Sequence, residues 1–307
     1  MSPTPNEWFR PRGELARDGW TAVVDTSVPG WQYTGLHVAD LEDQARSLPA
    51  GPLERLVVPL SGTFEIEHDD VDGRPARTAL SGRTGVFAGP TDSLYLGPGT
   101  ALTLRGSGRV AIASAPASDA RPPRRLPAGR VPVEIRGAGR DTRQVHNLGT
   151  PEILDAQSLI VCEVITPAGN WSSHPAHKHD EHRPGAEARL EEIYYFEAAP
   201  ARGIEAVPAA AEPFGTFSTY SSGAGQIATD ARVRTGDIAL VPFGFHGPAA
   251  AAPEYDLYYL NVMAGPDPQR RWLITDDPAQ SWVRRTWEHQ QPDPRLPYRS
   301  GPDGVDR

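Results

Sequence analysis

Four of the nine histidines of this 307-residue chain fall within nine residues, His174-Pro175-Ala176-His177-Lys178-His179-Asp180-Glu181-His182. His177 and His179 are two apart. On an extended strand that spacing turns both imidazoles to one face, close enough to share a metal ion. Further along, the carboxylate pair Glu191-Glu192 heads the aromatic run Ile193-Tyr194-Tyr195, and His246 follows the apolar run Val241-Pro242-Phe243-Gly244-Phe245. Three imidazoles and one carboxylate suit Zn, Mn, Fe, Co or Ni. They leave room for one or two more ligands, which separates a catalytic site from a closed structural one. Spacing does not choose between Glu191 and Glu192, because the loop from Asp180 to Arg189 breaks the alternation. Taken alone, the His177/His179 pair also fits a solvated loop that Lys178, Asp180 and Glu181 keep wet. The Glu pair and His246, in order behind it, favour ligation.

The elements that must position these groups read as strands. Residues 57–60, 63–67, 102–104 and 110–113 are short, β-rich and bounded by Gly or Pro, as are 159–164, 192–196, 238–241 and 257–262. Leu41 to Leu48 is the best candidate for a helix, and a short one. The segment 115–132, with Arg121-Pro122-Pro123-Arg124-Arg125, reads as a linker between two halves. The halves resemble each other. Leu53-Glu54-Arg55-Leu56 matches Leu190-Glu191-Glu192-Ile193, and Arg83-Thr84-Gly85 matches Arg234-Thr235-Gly236. Two copies of one antiparallel β unit are the simplest account. The copies are unequal: where the second has Glu192, the first has Arg55. A metal site therefore belongs to the second half, with the first as its structural partner. The expected division is a metal-free half over 1–114, the linker 115–132, a metal-binding half over 133–291 and a tail over 292–307.

Composition narrows the partners. The net charge is −9 and no basic stripe stands out, so nucleic acid is not an expected partner. No apolar stretch approaches the ~20 residues of a membrane span. Residues 1–7 lack a basic stretch followed by an apolar run, so no signal peptide is expected and the cytoplasm is the default location. The single cysteine, Cys162, sits in an apolar run and reads as a buried core thiol. An acidic chain that takes an anionic ligand needs a local Arg or Lys.

The order His-x-His, Glu, distant His resembles the ligand order of cupin metal sites. The block Gly169-Asn170-Trp171-Ser172-Ser173-His174-Pro175-Ala176-His177-Lys178-His179-Asp180 resembles the signature of the 5-deoxy-glucuronate isomerase family, bicupin enzymes of myo-inositol catabolism. Leu190 to Tyr195, Tyr255 to Pro266, Trp31 to Leu36 and Arg143 to Asn147 match it as well, so the likeness runs over nearly the whole chain. A more distant likeness is to 4-deoxy-threo-hexulosuronate isomerase, whose site motif selects Glu192 over Glu191. The chain departs from the family pattern at His174 (commonly Tyr), Ala176 (commonly Pro), Phe196-Glu197 and Phe243.

The resemblance implies an all-β fold of two tandem cupin, jelly-roll-like barrels. It implies one divalent metal ion, zinc or manganese, on His177, His179, Glu192 and His246. The implied reaction is aldose to ketose, 5-deoxy-glucuronate to 2-deoxy-5-keto-gluconate. Candidates for the base are Glu191, Asp180, His174 and Tyr259. Candidates for the substrate carboxylate are Arg143, Lys178 and Arg271. The expected partner is a small sugar acid, with assembly into a homo-oligomer left open. The rival expectations are a metal-dependent cupin dioxygenase and a non-catalytic bicupin that binds a sugar acid.

Overall fold

The computed structural model describes residues 4–70, 72–204 and 206–298. Nearly all of its regular structure is strand, and the one α-helix among the described residues is the four-residue Val283–Thr286. In the first half one nine-stranded antiparallel sheet curls on itself. Its longest strand, Leu102–Pro116, pairs with Leu53–Pro59 and Gly35–Glu42 at one end and with Gly62–Asp69 at the other. Gly106 and Gly108 let it turn that corner. Both have positive φ, and a Cβ on either would stand 2.1–2.2 Å from a carbonyl oxygen of the neighbouring strand.

In the second half a seven-stranded sheet faces a six-stranded one. Alternation along each strand sorts side chains into layers. Trp20, Phe64, Ile66, Leu94 and Ile112 fill the first barrel. Tyr194, Phe196, Phe217, Tyr259 and Met263 fill the second. A third core lies between the halves, where Leu36, Val58 and Ala113 meet Val161, Ile193, Tyr195 and Leu260.

Polar groups cross this middle layer. Glu54 accepts the amides of Gln157, Ser158 and Leu159 at 2.8, 2.6 and 2.7 Å. Arg83 and Glu163 form a fully buried ion pair, to which His146 and Tyr258 add hydrogen bonds of 3.0 and 2.6 Å.

Four expectations change. Leu41 to Leu48 is not a helix: the Gly35–Glu42 strand ends in a bend at Asp43, and Arg46–Leu48 pairs with Leu102–Leu104. Pairing with distant strands and burial of Leu41 and Leu48 outweigh a weak local preference. The segment 115–132 is partly built into the first sheet, since Arg124–Leu126 pairs with Ser93–Tyr95. The chain start crosses over, as Phe9–Arg10 joins the second-half sheet beside Ile238–Val241. Of the expected tail, Tyr298 is buried and its backbone bonds the Gln144 side chain. Residues 299–307 lie outside the described residues.

Candidate metal centre

The strand Glu191–Pro200 is central in the seven-stranded sheet, between Ile238–Val241 and Tyr255–Ala264. Its even residues point into the second barrel and its odd residues toward the first half. Glu192 therefore faces the six-stranded sheet, where His177 pairs in register with His246. The ligand-type atoms of His179, Glu192 and His246 all lie within 4.8 Å of one another. His179 Nε2 is 2.9 Å and His246 Nε2 3.1 Å from Glu192 Oε2. The His177 ring stands 4.5 Å from that of His246 and 6.3 Å from that of His179, just outside this trio.

Each imidazole is held from behind. Nδ1 of His177, His179 and His246 lies 3.4, 3.0 and 3.2 Å from the carbonyl oxygens of Pro175, Leu190 and Gly244. A carbonyl only accepts, so each Nδ1 carries a hydrogen and Nε2 is the nitrogen left for a metal, although that of His179 donates to Glu192 here. This backing fixes the tautomer of metal-bound histidines. The buried His246 Nε2 has no hydrogen-bond partner despite its nearness to Glu192, because it lies off the bonding direction. An orphaned lone pair facing a carboxylate and a second imidazole is what a divalent cation would satisfy.

The electrostatics agree with that donor set. Burial opposes ionising Glu192, but His179 and His246 outweigh it and hold its carboxyl down at about 2. Burial, helped by the charges of His246 and His179, keeps His177 neutral, well below its ordinary pKa. A deprotonated carboxylate beside a neutral His177 suits a metal ion; burial opposes protonating His179, but its hydrogen bond to Glu192 outweighs this and raises its pKa, so a cation bound there would displace a proton. The phenols of Tyr194 and Tyr259 line the wall beyond. Their rings are 5.0 Å apart, with Tyr194 6.1 Å from His246, and both hydroxyls reach Ser173 Oγ, at 3.2 and 3.1 Å. Burial pushes Tyr259 up to about 12.

Several expected site residues lie elsewhere. Glu191, on the reverse face of its strand, accepts the backbone amides of Gln32 and Tyr33 in the first half, at 2.9 and 2.7 Å. It is an anchor and cannot serve as the base. Asp180 has both oxygens engaged, one by Lys178 and the other by Ser222 and the Gly244 amide. Lys178 points away from the trio, as alternation from His177 and His179 requires, and bonds Asp180 and Glu187 at 2.6 and 2.8 Å. It has no charge to spare for a substrate. Arg271 is exposed on an outer depression with Pro184 and Gln269. His174 does lie at the barrel mouth, with Nδ1 2.7 Å from Asp141 Oδ1. Arg143 is buried beside it with no carboxylate in contact. Sequence reasoning missed Asp141, Ser173, Tyr194 and Trp287. The first three sit in or beside the quoted motif blocks, whereas nothing local marks Trp287.

Among the described residues the first half has no counterpart. The ladder places Arg55 where Glu192 stands, and its guanidinium caps the carbonyls of Thr100 and Pro49 at 2.7 and 2.9 Å. Apolar side chains fill the barrel interior there.

Comparison with known proteins agrees with this architecture. The profile of the KduI/IolB family matches residues 8–283. The 5-deoxy-glucuronate isomerase of Shouchella clausii (strain KSM-K16) is 32% identical over 280 residues, covering 89% of this chain and 97% of that protein. The protein of the same name from Halalkalibacterium halodurans is 36% identical over 278 residues, covering 89% and 96%. An IolB-like protein from Salmonella typhimurium LT2 superposes with a TM-score of 0.78 at 31% identity, over 90% of this chain and 99% of that one. The oxalate decarboxylase of Lactobacillus farciminis superposes with a TM-score of 0.58 at 11% identity, a likeness of cupin fold alone.

Proposed function

This chain belongs to the KduI/IolB family, and on that footing we propose that it is a metal-dependent aldose–ketose isomerase. Its substrate is 5-deoxy-glucuronate, its product 2-deoxy-5-keto-gluconate, and its setting the breakdown of inositol. The observation that carries the metal is the convergence of His179, Glu192 and His246, with each imidazole Nδ1 backed by a carbonyl. His177, in register with His246, completes the set.

A bound divalent ion would act as a Lewis acid on the substrate's carbonyl and adjacent hydroxyl oxygens. The chain's residues do the rest. Glu192 stays ionised at neutral pH and offsets the cation's charge. Tyr194 and Tyr259 stay protonated, so their O–H groups would donate to oxygens of a substrate bound beside the metal centre. The isomerisation moves two protons: the carbon-bound one leaves C2 to a base and returns to C1, and the oxygen-bound one passes from the C2 hydroxyl to the C1 oxygen, relayed by Tyr259, which Ser173 steadies. The aromatic wall of Tyr194, Phe196 and Phe217 excludes water, which protects an enediol from side reactions.

Metal analysis coupled to an isomerisation assay on 5-deoxy-glucuronate tests this reading. His179→Ala and His246→Ala should each lose the metal and the activity together. Full activity of metal-stripped protein would refute it, and oxygen consumption in place of isomerisation would favour a dioxygenase.

A further inference from the structure

Arg143 is a buried cation without a carboxylate partner among the described residues. Its side chain lies on the same strand face as Val145, which packs in the second barrel, and the residue is only 9% exposed. Nη1 donates to the Asp141 carbonyl oxygen at 3.1 Å. Nε and Nη2 make no hydrogen bond, and no carboxylate of the described residues lies within 4.0 Å of the guanidinium. The nearby carboxylates are engaged by other donors. Asp141 takes His174 Nδ1 on one oxygen at 2.7 Å and Trp287 Nε1 on the other at 3.0 Å. Glu134 is bound by Arg136 at 2.9 Å. The Trp287 ring lies over the guanidinium, 5.6 Å from its carbon. Arg284, against the same ring, is neutralised by Asp276.

We propose that Arg143, roofed by Trp287 and kept free by the His174–Asp141 pair, is the receptor for the carboxylate end of the substrate. This rests on the reading of the chain as a sugar-acid isomerase and adds the part that reads the acid. The open Nε and Nη2 form the side of the guanidinium fork that takes a carboxylate through two parallel hydrogen bonds. A buried charge left unpaired is costly, and an incoming anion removes that cost. Burial draws the Arg143 pKa down to about 10, so it remains a cation at neutral pH. Tyr259 lies close enough to feel this charge, and Tyr194 continues the wall to His246. The receptor and the metal centre thus share one barrel interior. Asp141, His174 and Trp287 are positioning residues: they act on substrate only through Arg143.

The test compares 5-deoxy-glucuronate with its uncharged 6-alcohol, 5-deoxy-glucose, on the metal-loaded full chain. Arg143→Gln should raise KM for the acid by about 10- to 100-fold, the loss of a paired charge-assisted contact. kcat should change far less, and the preference for acid over alcohol should collapse. Arg143→Lys keeps the charge without the fork and should fall between. Trp287→Phe keeps the ring but frees Asp141 to swing onto Arg143, so it should erode the same preference with metal content and Tm retained. A folded, metal-replete Arg143→Gln protein that still prefers the acid as wild type does overturns the proposal, as does an Arg143→Lys protein whose preference matches that of wild type. Calorimetric binding of glucuronate against glucose separates this from the isomerase reading. If wild type turns over neither sugar but binds glucuronate through Arg143, the receptor stands and the isomerase reading falls. If wild type shows no preference for glucuronate, the receptor is wrong.

Discussion

The buried ion pair between Arg83 and Glu163 joins the two halves where neither group can reach water, and Glu163→Gln removes its charge with little change of shape. Two routes give the expected cost. Burial opposes ionising Glu163, but Arg83 and His146 hold its carboxyl from an ordinary 4.5 down to about 2. At roughly 1.4 kcal/mol per tenfold change in proton affinity, this is worth about 3 kcal/mol of stability at neutral pH. Breaking a buried pair by removing one partner costs about 3–5 kcal/mol. The variant should therefore lose about 3–4 kcal/mol, or roughly 5–6 °C in Tm for a chain of this size. The folded-state pKa lies below the unfolded one, so the stabilisation is fully present above pH 4.5 and is lost as pH falls toward about 2. Glutamine mimics the protonated acid, so the gap between wild type and variant should narrow through that window. Metal content should not change, because Glu163 points away from the second barrel's interior. Urea denaturation of both proteins across pH 2–7 measures the gap. A gap below about 1 kcal/mol at pH 7, or one that does not narrow on acidification, refutes the reasoning.

Lys178→Met leaves Asp180 and Glu187 without their shared cation and should cost about 2–4 kcal/mol in thermal or chemical denaturation; KM for 5-deoxy-glucuronate should hold, since this lysine faces away from the site. Gly247→Ala would place a Cβ 1.9 Å from the Ser173 carbonyl oxygen beside His246, at a positive φ. It should lower both Tm and metal affinity, the latter by about tenfold or more by titration with a chromophoric chelator. Elemental analysis of wild type should give one metal per chain, because Arg55 stands where the first half would need its carboxylate.

Much of this was legible in the chain itself. Short β-rich runs between Gly/Pro breaks marked the strands, and the second-half ladder carries Glu192 inward as the motif order implied. The candidate set around Lys178 and Asp180 failed for a physical reason: sequence shows that a charge exists, whereas only the fold shows which neighbour neutralises it. Spacing could not tell Glu191 from Glu192; the resemblance selected Glu192, and the facing of the strand supplies the physical reason. Trp287 was invisible because it reaches Asp141 from 146 residues away along the chain. The misread at Leu41–Leu48 came from judging a segment locally when its pairing partner lay beyond residue 100.

Glu54 and Glu191 occupy equivalent positions, and each crosses the middle layer to bond backbone amides of the opposite half. In a symmetric homodimer this is the mark of an isologous contact, in which a group on one subunit meets a patch whose twin meets its own. Here the same reciprocity runs within one polypeptide. It fits a duplicated gene whose products once associated as two copies of a single barrel. Fusion made the association permanent and freed one copy from chemistry. Arg55 could then replace a ligand in the first barrel, while the paired glutamates, still needed by both partners, were kept.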